Sequence, residues 1–121
     1  MNPLAPRILV VDDDPDIGFM IKTMLEFHGY AVEVTEQAEY AEDMLETGRF
    51  DLLIMDMLLS GMNGTDICSR IKQRSNIPIV MISAHPQARE ICLSAGADEF
   101  IAKPFDMQEM ISKLKALLPA S

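Results

Sequence analysis

Residues 8–15, Ile8-Leu9-Val10-Val11-Asp12-Asp13-Asp14-Pro15, decide the fold of this chain. Residues 8–11 are apolar without interruption, which is typical of a strand buried on both faces of a sheet. Asp14 followed by Pro15 predicts a helix N-cap with proline at the first helical position. The stretch therefore predicts a buried parallel strand that leads directly into a helix.

The same alternation of a short apolar run and an amphipathic segment occurs five times. The runs are Ile8–Val11, Ala31–Val34, Leu52–Met55, Ile79–Ile82 and Glu99–Ile101. The second and fifth are more polar than the others, as expected of edge strands. Five βα units with short connections predict a doubly wound α/β domain, with a five-stranded parallel sheet and helices on both faces.

The helical segments have specific predicted faces and ends. The buried stripe of the first helix is predicted to be Ile17, Met20, Ile21, Met24 and Leu25, and that of the fourth Ala88, Ile91, Cys92 and Ala95. Gly29, Gly48 and Gly96 each follow a helical stripe, where a left-handed residue is expected.

The composition limits the class of protein. With 121 residues, 49% of them hydrophobic, the chain suits a single core. It contains no apolar run near the roughly 20 residues of a membrane span and no signal sequence, so we expect a soluble, cytoplasmic protein without a membrane partner. The net charge of −9 argues against direct nucleic-acid binding. Cys68 and Cys92 are expected to be core thiols.

Polar residues stand at the ends of the predicted strands. Asp12 and Asp13 end the first strand, Asp56 ends the third, Ser83 ends the fourth, and Lys103 follows the fifth. Each alone is a common cap or surface residue. Because the carboxyl ends of parallel strands lie along one edge, where ligands bind at the switch in winding, their joint occurrence predicts a site.

The expected strand order 2-1-3-4-5 brings these residues together. Strands one and three are then neighbours, about 4.8 Å apart, so Asp12, Asp13 and Asp56 crowd together and need a cation. Oxygen ligands favour Mg²⁺. Lys103 lies two strands from Asp56, and only a long side chain bridges that gap. A site that combines carboxylates, a divalent metal, a hydroxyl and an ammonium predicts phosphoryl transfer with a carboxylate as nucleophile.

The chain resembles a known family, the response-regulator receiver domains of two-component signalling, and among them it is similar to chemotaxis regulators. This resemblance implies a flavodoxin-like fold. The matching stretches are Ile8–Asp13, Leu53–Asp56 with Gly64 eight residues later, Met81–Ala84 and Lys103–Phe105. The resemblance extends from Arg7 to about Leu118. It implies a domain over residues 7–118, with an N-terminal arm at 1–6 and a tail at 119–121.

The resemblance also implies roles for individual residues. Asp56 is the phosphoacceptor, and Mg²⁺ is held by Asp56, by Asp13 directly, by Asp12 mainly through water, and by the backbone carbonyl of Leu58. Ser83, the Ala84 amide and Lys103 hold the phosphoryl oxygens, Ser83 and Phe100 form the switch, and Leu58 and His85 tune the phosphoryl lifetime.

Three departures from the family pattern concern the loops and the output face. Most relatives carry proline four residues after the phosphoacceptor, whereas this chain has Ser60 at that position, followed by Gly61. A more mobile loop is therefore expected. Phe100 lacks the hydroxyl of a tyrosine, so its switching must work through packing. The interval from Ser83 to Lys103 is slightly shorter than in most relatives, which affects the surface around the fourth helix.

The implied function is that of a signalling phosphoacceptor rather than an enzyme with a separate substrate. Its implied partners are a sensor histidine kinase or phosphotransfer protein, a downstream effector and, on phosphorylation, a second copy. A haloacid-dehalogenase-like phosphohydrolase is the alternative, but Leu58 occupies the place of its acid/base aspartate. A stand-alone regulator and the N-terminal receiver of a longer protein both remain open, and the Met1 start disfavours a C-terminal piece.

Overall fold

The computed structural model describes residues 5–59, 62–85 and 87–118. The predicted tail at 119–121, most of the predicted arm at 1–6, and the predicted mobile positions Ser60 and Gly61 lie outside these ranges.

Five parallel strands form one sheet in the predicted order. They are β1 (Arg7–Val11), β2 (Ala31–Thr35), β3 (Leu52–Asp56), β4 (Ile79–Ser83) and β5 (Glu99–Ala102). Their spatial order is β2-β1-β3-β4-β5, so the doubly wound topology is confirmed. All five predicted strands exist, and each is one residue longer than its predicted run, at the start of β1 and at the end of the other four.

In the part of the chain that the structure describes, five α-helices connect and follow the strands: α1 (Pro15–Phe27), α2 (Ala41–Thr47), α3 (Gly64–Arg74), α4 (Ala88–Ser94) and α5 (Met107–Leu117). A short 3₁₀ turn, Ala38–Tyr40, precedes α2. The predicted N-cap of α1 is confirmed, because the Asp14 side chain accepts hydrogen bonds from the amides of Asp16 and Ile17. None of the helices in the described ranges has the length and apolarity that a membrane crossing requires.

The sheet separates two apolar layers. Alternate strand residues, such as Leu9 and Val11, face α2, α3 and α4, whereas Ile8 and Val10 face α1 and α5. Residues 52–56 and 79–83 are buried throughout, as strands covered on both faces must be. Cys68 and Cys92 are free, buried thiols in the first layer, as predicted.

Two predicted core positions are wrong. Met20 is 42% exposed and Ile91 is 49% exposed. In α1 the buried positions are Gly18, Ile21 and Leu25, which shifts the inward face away from Met20. In the two-turn helix α4 the inward residues are Ala88 and Cys92, so Ile91 lies at the border of that face.

The glycine prediction is confirmed at two of three positions. Gly29 and Gly96 have positive φ values of 94° and 108°. Gly48 has φ −95° instead, because α2 ends in an extended conformation that leads towards β3. A feature absent from the sequence prediction is a short hairpin after β3, in which Leu58–Leu59 pairs with Met62–Asn63.

Candidate functional site

Three of the predicted site residues meet at the carboxyl edge of the sheet. The Lys103 ammonium lies 2.6 Å from Asp56 Oδ2 and 3.7 Å from Asp12 Oδ2. Asp12 follows β1, Asp56 ends β3 and Lys103 follows β5, so the long lysine side chain spans two strands, as the strand order predicts.

The Asp12 carboxylate is the least satisfied polar group of the site. It is 1% exposed; its Oδ1 accepts a hydrogen bond of 2.9 Å from the Asp14 amide, but its buried Oδ2 has no hydrogen-bond partner among the residues that the structure describes. Burial raises the pKa of Asp12, and the Asp14 amide and Lys103 only partly oppose that shift. The charges of Asp56 and Asp13 raise it further. Oδ2 is therefore an oxygen that an additional cation would stabilise.

Asp56 is held at both carboxylate oxygens. Its Oδ1 accepts a hydrogen bond of 3.0 Å from the Leu58 amide, and its Oδ2 accepts the bond from Lys103. The backbone beyond it is fixed to the sheet, because the Met57 amide donates to the Ile82 carbonyl at 2.8 Å. The partner of Asp56 Oδ1 is thus a rigid backbone amide, that of Leu58, whereas the partner of Oδ2 is the flexible side chain of Lys103.

Lys103 is anchored at its backbone and charged at its tip. Its amide donates to the Ser83 carbonyl at 2.9 Å, and the Lys103–Pro104 peptide is cis. Burial by itself would lower the pKa of Lys103, but the hydrogen bond to Asp56 and the negative charges of Asp12 and Asp56 outweigh it and raise that pKa. The ammonium is therefore a permanent positive charge of the site.

Ser83 connects the site to helix α4. Its buried Oγ accepts a hydrogen bond of 3.0 Å from the His85 amide. The His85 ring in turn accepts at Nδ1 from the Gln87 amide, and the His85 carbonyl accepts from the Ala88 amide at the start of α4. A hydroxyl at the sheet edge is thus linked through one residue to the first turn of a helix.

An open cleft of about 410 Å³ lies over these groups. Its lining consists of Asp56, Leu58, Ser83, Ala84, His85 and Lys103. Leu58 is 65% exposed, and Ala84 and His85 are exposed as well. A larger cleft of about 500 Å³, which includes Phe50 and Ile77, lies between α2 and α3 at the opposite end of the sheet and contains none of the predicted site residues.

Phe100 lies apart from this cleft, with its side chain turned inward. It is 5% exposed in the layer that also contains Ala88 and Cys92 of α4. The Phe100 carbonyl accepts a hydrogen bond of 2.9 Å from Lys113 of α5. Its ring thus lies in the apolar layer to which α4 also contributes.

The donor set fits a magnesium ion, although not as a ready-made cage. Within residues 5–59, 62–85 and 87–118, no three acidic, histidine or cysteine side chains form a group that could hold a metal ion. Asp12, Asp13 and Asp56 still interact through their charges, because Asp56 and Asp13 both raise the pKa of Asp12. Mg²⁺ keeps several waters and needs only one or two carboxylates, and Asp12 Oδ2, which accepts no hydrogen bond from the described residues, is an oxygen of the kind that it binds directly or through water.

Sequence reasoning missed how closely the backbone packs around Asp56. A Cβ atom at Gly64 would lie 2.6 Å from the Asp56 carbonyl oxygen, and the Leu58 amide bonds the Asp56 side chain. Gly64 was visible in the sequence as part of a motif. Neither contact has a sequence signal of its own, because both depend on the hairpin that follows β3.

Comparisons with known proteins agree with this geometry. The sequence model of the response regulator receiver domain matches residues 8–115. The DNA-binding response regulator MtrA of Mycolicibacterium smegmatis is 35% identical over 120 residues, which make up 98% of this chain and 53% of that protein. The chain thus spans about half the length of the curated relatives it matches.

Two solved structures share the fold closely. The response regulator protein TrrA from Thermotoga maritima, in complex with Mg²⁺-BeF, matches with a TM-score of 0.86 and 34% identity over 93% of this chain and 99% of that chain. The BeF3-activated N-terminal receiver domain of Klebsiella pneumoniae RstA matches with a TM-score of 0.88 and 26% identity over 94% of this chain and 99% of that chain.

The haloacid-dehalogenase alternative receives no support from these findings, since every relative compared is a response regulator and Leu58 offers no carboxylate. The sheet order, the acidic edge with its bridging lysine and the match over residues 8–115 lead to one conclusion: this chain belongs to the response regulator receiver domains of two-component signalling.

Proposed function

We propose that Asp56 accepts a phosphoryl group from a histidine of a sensor kinase or phosphotransfer protein. The observation that carries this proposal is the pairing of Lys103 Nζ with Asp56 Oδ2 at 2.6 Å, with the buried Asp12 Oδ2 only 3.7 Å from the same ammonium. A nucleophilic carboxylate, an ammonium and a second carboxylate that can help to bind a divalent cation are the parts that phosphoryl transfer requires.

In the transfer step, an Asp56 carboxylate oxygen forms a bond to phosphorus while the bond from phosphorus to the donor nitrogen breaks. The electron pair stays on the imidazole nitrogen, which takes up a proton. Oδ2 is the attacking oxygen, because its partner Lys103 is a flexible side chain that can turn towards the phosphoryl oxygens. Oδ1 keeps its bond to the fixed Leu58 amide and holds the carboxylate in place.

A bound Mg²⁺ supplies positive charge that neutralises the phosphoryl oxygens during transfer. Asp12, Asp13, Asp56 and the Leu58 carbonyl would hold it. The chain's other groups receive the phosphoryl oxygens: the Lys103 ammonium by charge, and the Ser83 hydroxyl and Ala84 amide by hydrogen bonds. The domain promotes only its own phosphoryl gain and loss and acts on no separate substrate.

The phosphorylated domain transmits its state through α4 and β5. When Ser83 turns its hydroxyl towards the phosphoryl group, it gives up the bond to the His85 amide, which holds the start of α4. Phe100, packed beneath α4, follows that movement by repacking. The partner that reads the changed face is a downstream effector or a second copy of the domain, and the receiver unit comprises residues 7–118 in the cytoplasm.

A small phosphodonor tests the proposal without the kinase. Incubated with Mg²⁺ and acetyl phosphate, the protein is expected to gain one acid-labile phosphoryl group, measured by intact mass. Asp56→Asn removes the nucleophile and is expected to abolish the gain. An Asp56→Asn protein that is still labelled at full stoichiometry would contradict the assignment of Asp56 as the phosphoacceptor.

A further inference from the structure

Gly64 touches the backbone of the residue that carries the reactive carboxylate. It is buried as the first residue of α3, and its amide donates to the Met57 carbonyl at 2.8 Å. A Cβ atom at this position would lie 2.6 Å from the Asp56 carbonyl oxygen and 2.8 Å from the Met57 carbonyl oxygen. Real Cβ contacts essentially never fall below 3.0 Å, so a side chain here must move the neighbouring peptide.

The requirement for glycine is one of space and not of backbone conformation. Positive φ values among the described glycines occur at Gly29 and Gly96, and Gly64 is not among them. An alanine could therefore adopt the backbone angles of Gly64 without strain. The added methyl group would therefore act through its contacts, and the three nearest atoms belong to the Asp56 and Met57 backbone.

The two sides of the contact between Gly64 and the Asp56–Met57 backbone are held in different ways. Helix α3 is held by Ile67, Cys68 and Ile71, which are buried against the sheet. Beyond Asp56 the chain enters the hairpin, where Met57 is half-buried and Leu58 is exposed. Because α3 is held along its buried face, a Cβ atom at Gly64 would strain the Asp56–Met57 backbone against its hydrogen bond to the Ile82 carbonyl.

We propose that Gly64 is a positioning residue for phosphoryl transfer, an inference that rests on the function proposed above. Because Gly64 has no side chain, α3 can pack directly against the Asp56–Met57 peptide. This contact positions the Asp56 carboxylate and, through the next residue, the Leu58 amide and carbonyl. A shift of a few tenths of an ångström at this peptide misplaces the nucleophile and a backbone ligand of the ion together.

Gly48 provides a matched control. Its amide also donates to a carbonyl, that of Met44, at 2.8 Å, and a Cβ atom there would lie 2.9 Å from that oxygen and 2.7 Å from the Phe50 ring. It too lacks a positive φ. Gly48 lies before the start of β3, so at least roughly 13 Å of strand separates it from Asp56.

The test compares Gly64→Ala with Gly48→Ala in the full chain. Magnesium affinity is measured by calorimetric titration with the metal alone, and the phosphorylation rate with acetyl phosphate at saturating Mg²⁺. We expect Gly64→Ala to lower both by about tenfold, while Gly48→Ala stays within about twofold of the unmodified protein whatever it does to the melting temperature. A Gly64→Ala protein with unchanged affinity and rate, or equal losses in both variants, would overturn the inference.

A measurement on the unmodified protein covers the case in which Gly64→Ala does not fold. Adding Mg²⁺ is expected to shift the Gly64 amide resonance and leave that of Gly48 in place, because only the former bonds to the peptide beside the ion. An unmoved Gly64 resonance contradicts the inference. The proposed function fails separately, if the unmodified protein gains no phosphoryl group on Asp56.

Discussion

At the scale of single residues, Leu58 has two opposed relations to the phosphoacceptor. Its amide holds Asp56 Oδ1 at 3.0 Å, whereas its side chain is 65% exposed along the cleft. Hydrolysis of the acyl phosphate needs a water molecule in line with the phosphorus–oxygen bond. A leucine at the cleft offers that water no hydrogen bond, so the phosphorylated state should persist.

We therefore expect Leu58→Asn to shorten the lifetime of phosphorylated Asp56 by severalfold or more, because an amide side chain can orient the attacking water. The decay of the phosphoprotein after removal of the phosphodonor measures this directly. Leu93→Asn, which changes an exposed leucine of α4 away from the cleft, is the control. His85→Ala is expected to alter the lifetime less than Leu58→Asn. Equal decay of Leu58→Asn and the unmodified protein would refute the effect.

At the scale of elements, α4 is a short helix with little local stabilisation of its own. It has only seven residues, its N-cap Gln87 makes no capping side-chain bond, and Ile91 on its surface is half exposed. Short helices without caps depend on tertiary contacts. For α4 these contacts are Ala88 and Cys92 beneath it and the Ser83–His85 hydrogen bond at its start.

Phosphorylation is consequently expected to change amide hydrogen exchange in α4 more than in α1, which has thirteen residues and a capped start. Mass-resolved exchange of peptides covering residues 84–95, with and without acetyl phosphate, measures the change. In Ser83→Ala, which lacks the hydroxyl that turns, the α4 response should be smaller. Exchange in α4 that phosphorylation leaves unaltered would contradict the proposed route.

At the scale of the whole molecule, the acidic edge opposes folding. Because burial raises the pKa of Asp12 above its unfolded value, the folded state favours the protonated carboxyl, and that contribution is lost as the pH rises through the folded pKa. At neutral pH the ionised, buried Asp12 carboxylate, which the Lys103 ammonium 3.7 Å away compensates only in part, therefore lowers the free energy of unfolding. A bound cation would reverse this cost.

Two consequences can be read from melting temperatures. Without metal, Asp12→Asn should melt a few degrees higher than the unmodified protein, because it removes a buried charge and keeps an oxygen for the Asp14 amide. Millimolar Mg²⁺ should raise the melting temperature of the unmodified protein by mass action and raise that of Asp12→Asn or Asp13→Asn much less. An equal rise in all three proteins would mean that the ion binds elsewhere.

The sequence predicted the parts of this molecule that follow from chain direction and burial. The apolar runs predict β1 to β5, and their common direction predicts that Asp12, Asp56 and Lys103 meet at one edge. It did not predict the hairpin after β3, because pairing over two residues leaves no periodicity.

The helix faces show the same limit. The exposure of Met20 and Ile91 depends on how far α1 and α4 rotate on the sheet, and a Cβ atom at Gly18 would lie only 2.9 Å from Val34. Such rotations are decided by the packing of small residues, which an apolar pattern does not encode.

Locating the phosphoryl group within the chain tests the central claim most directly. Borohydride reduces an aspartyl phosphate to homoserine, so treating the phosphorylated protein and sequencing its peptides by mass spectrometry marks the acceptor. Homoserine is predicted at position 56 alone, and only after incubation with Mg²⁺ and phosphodonor together. Homoserine at position 12 or 13, or a phosphoryl group that resists borohydride on Ser83 or His85, would contradict the claim.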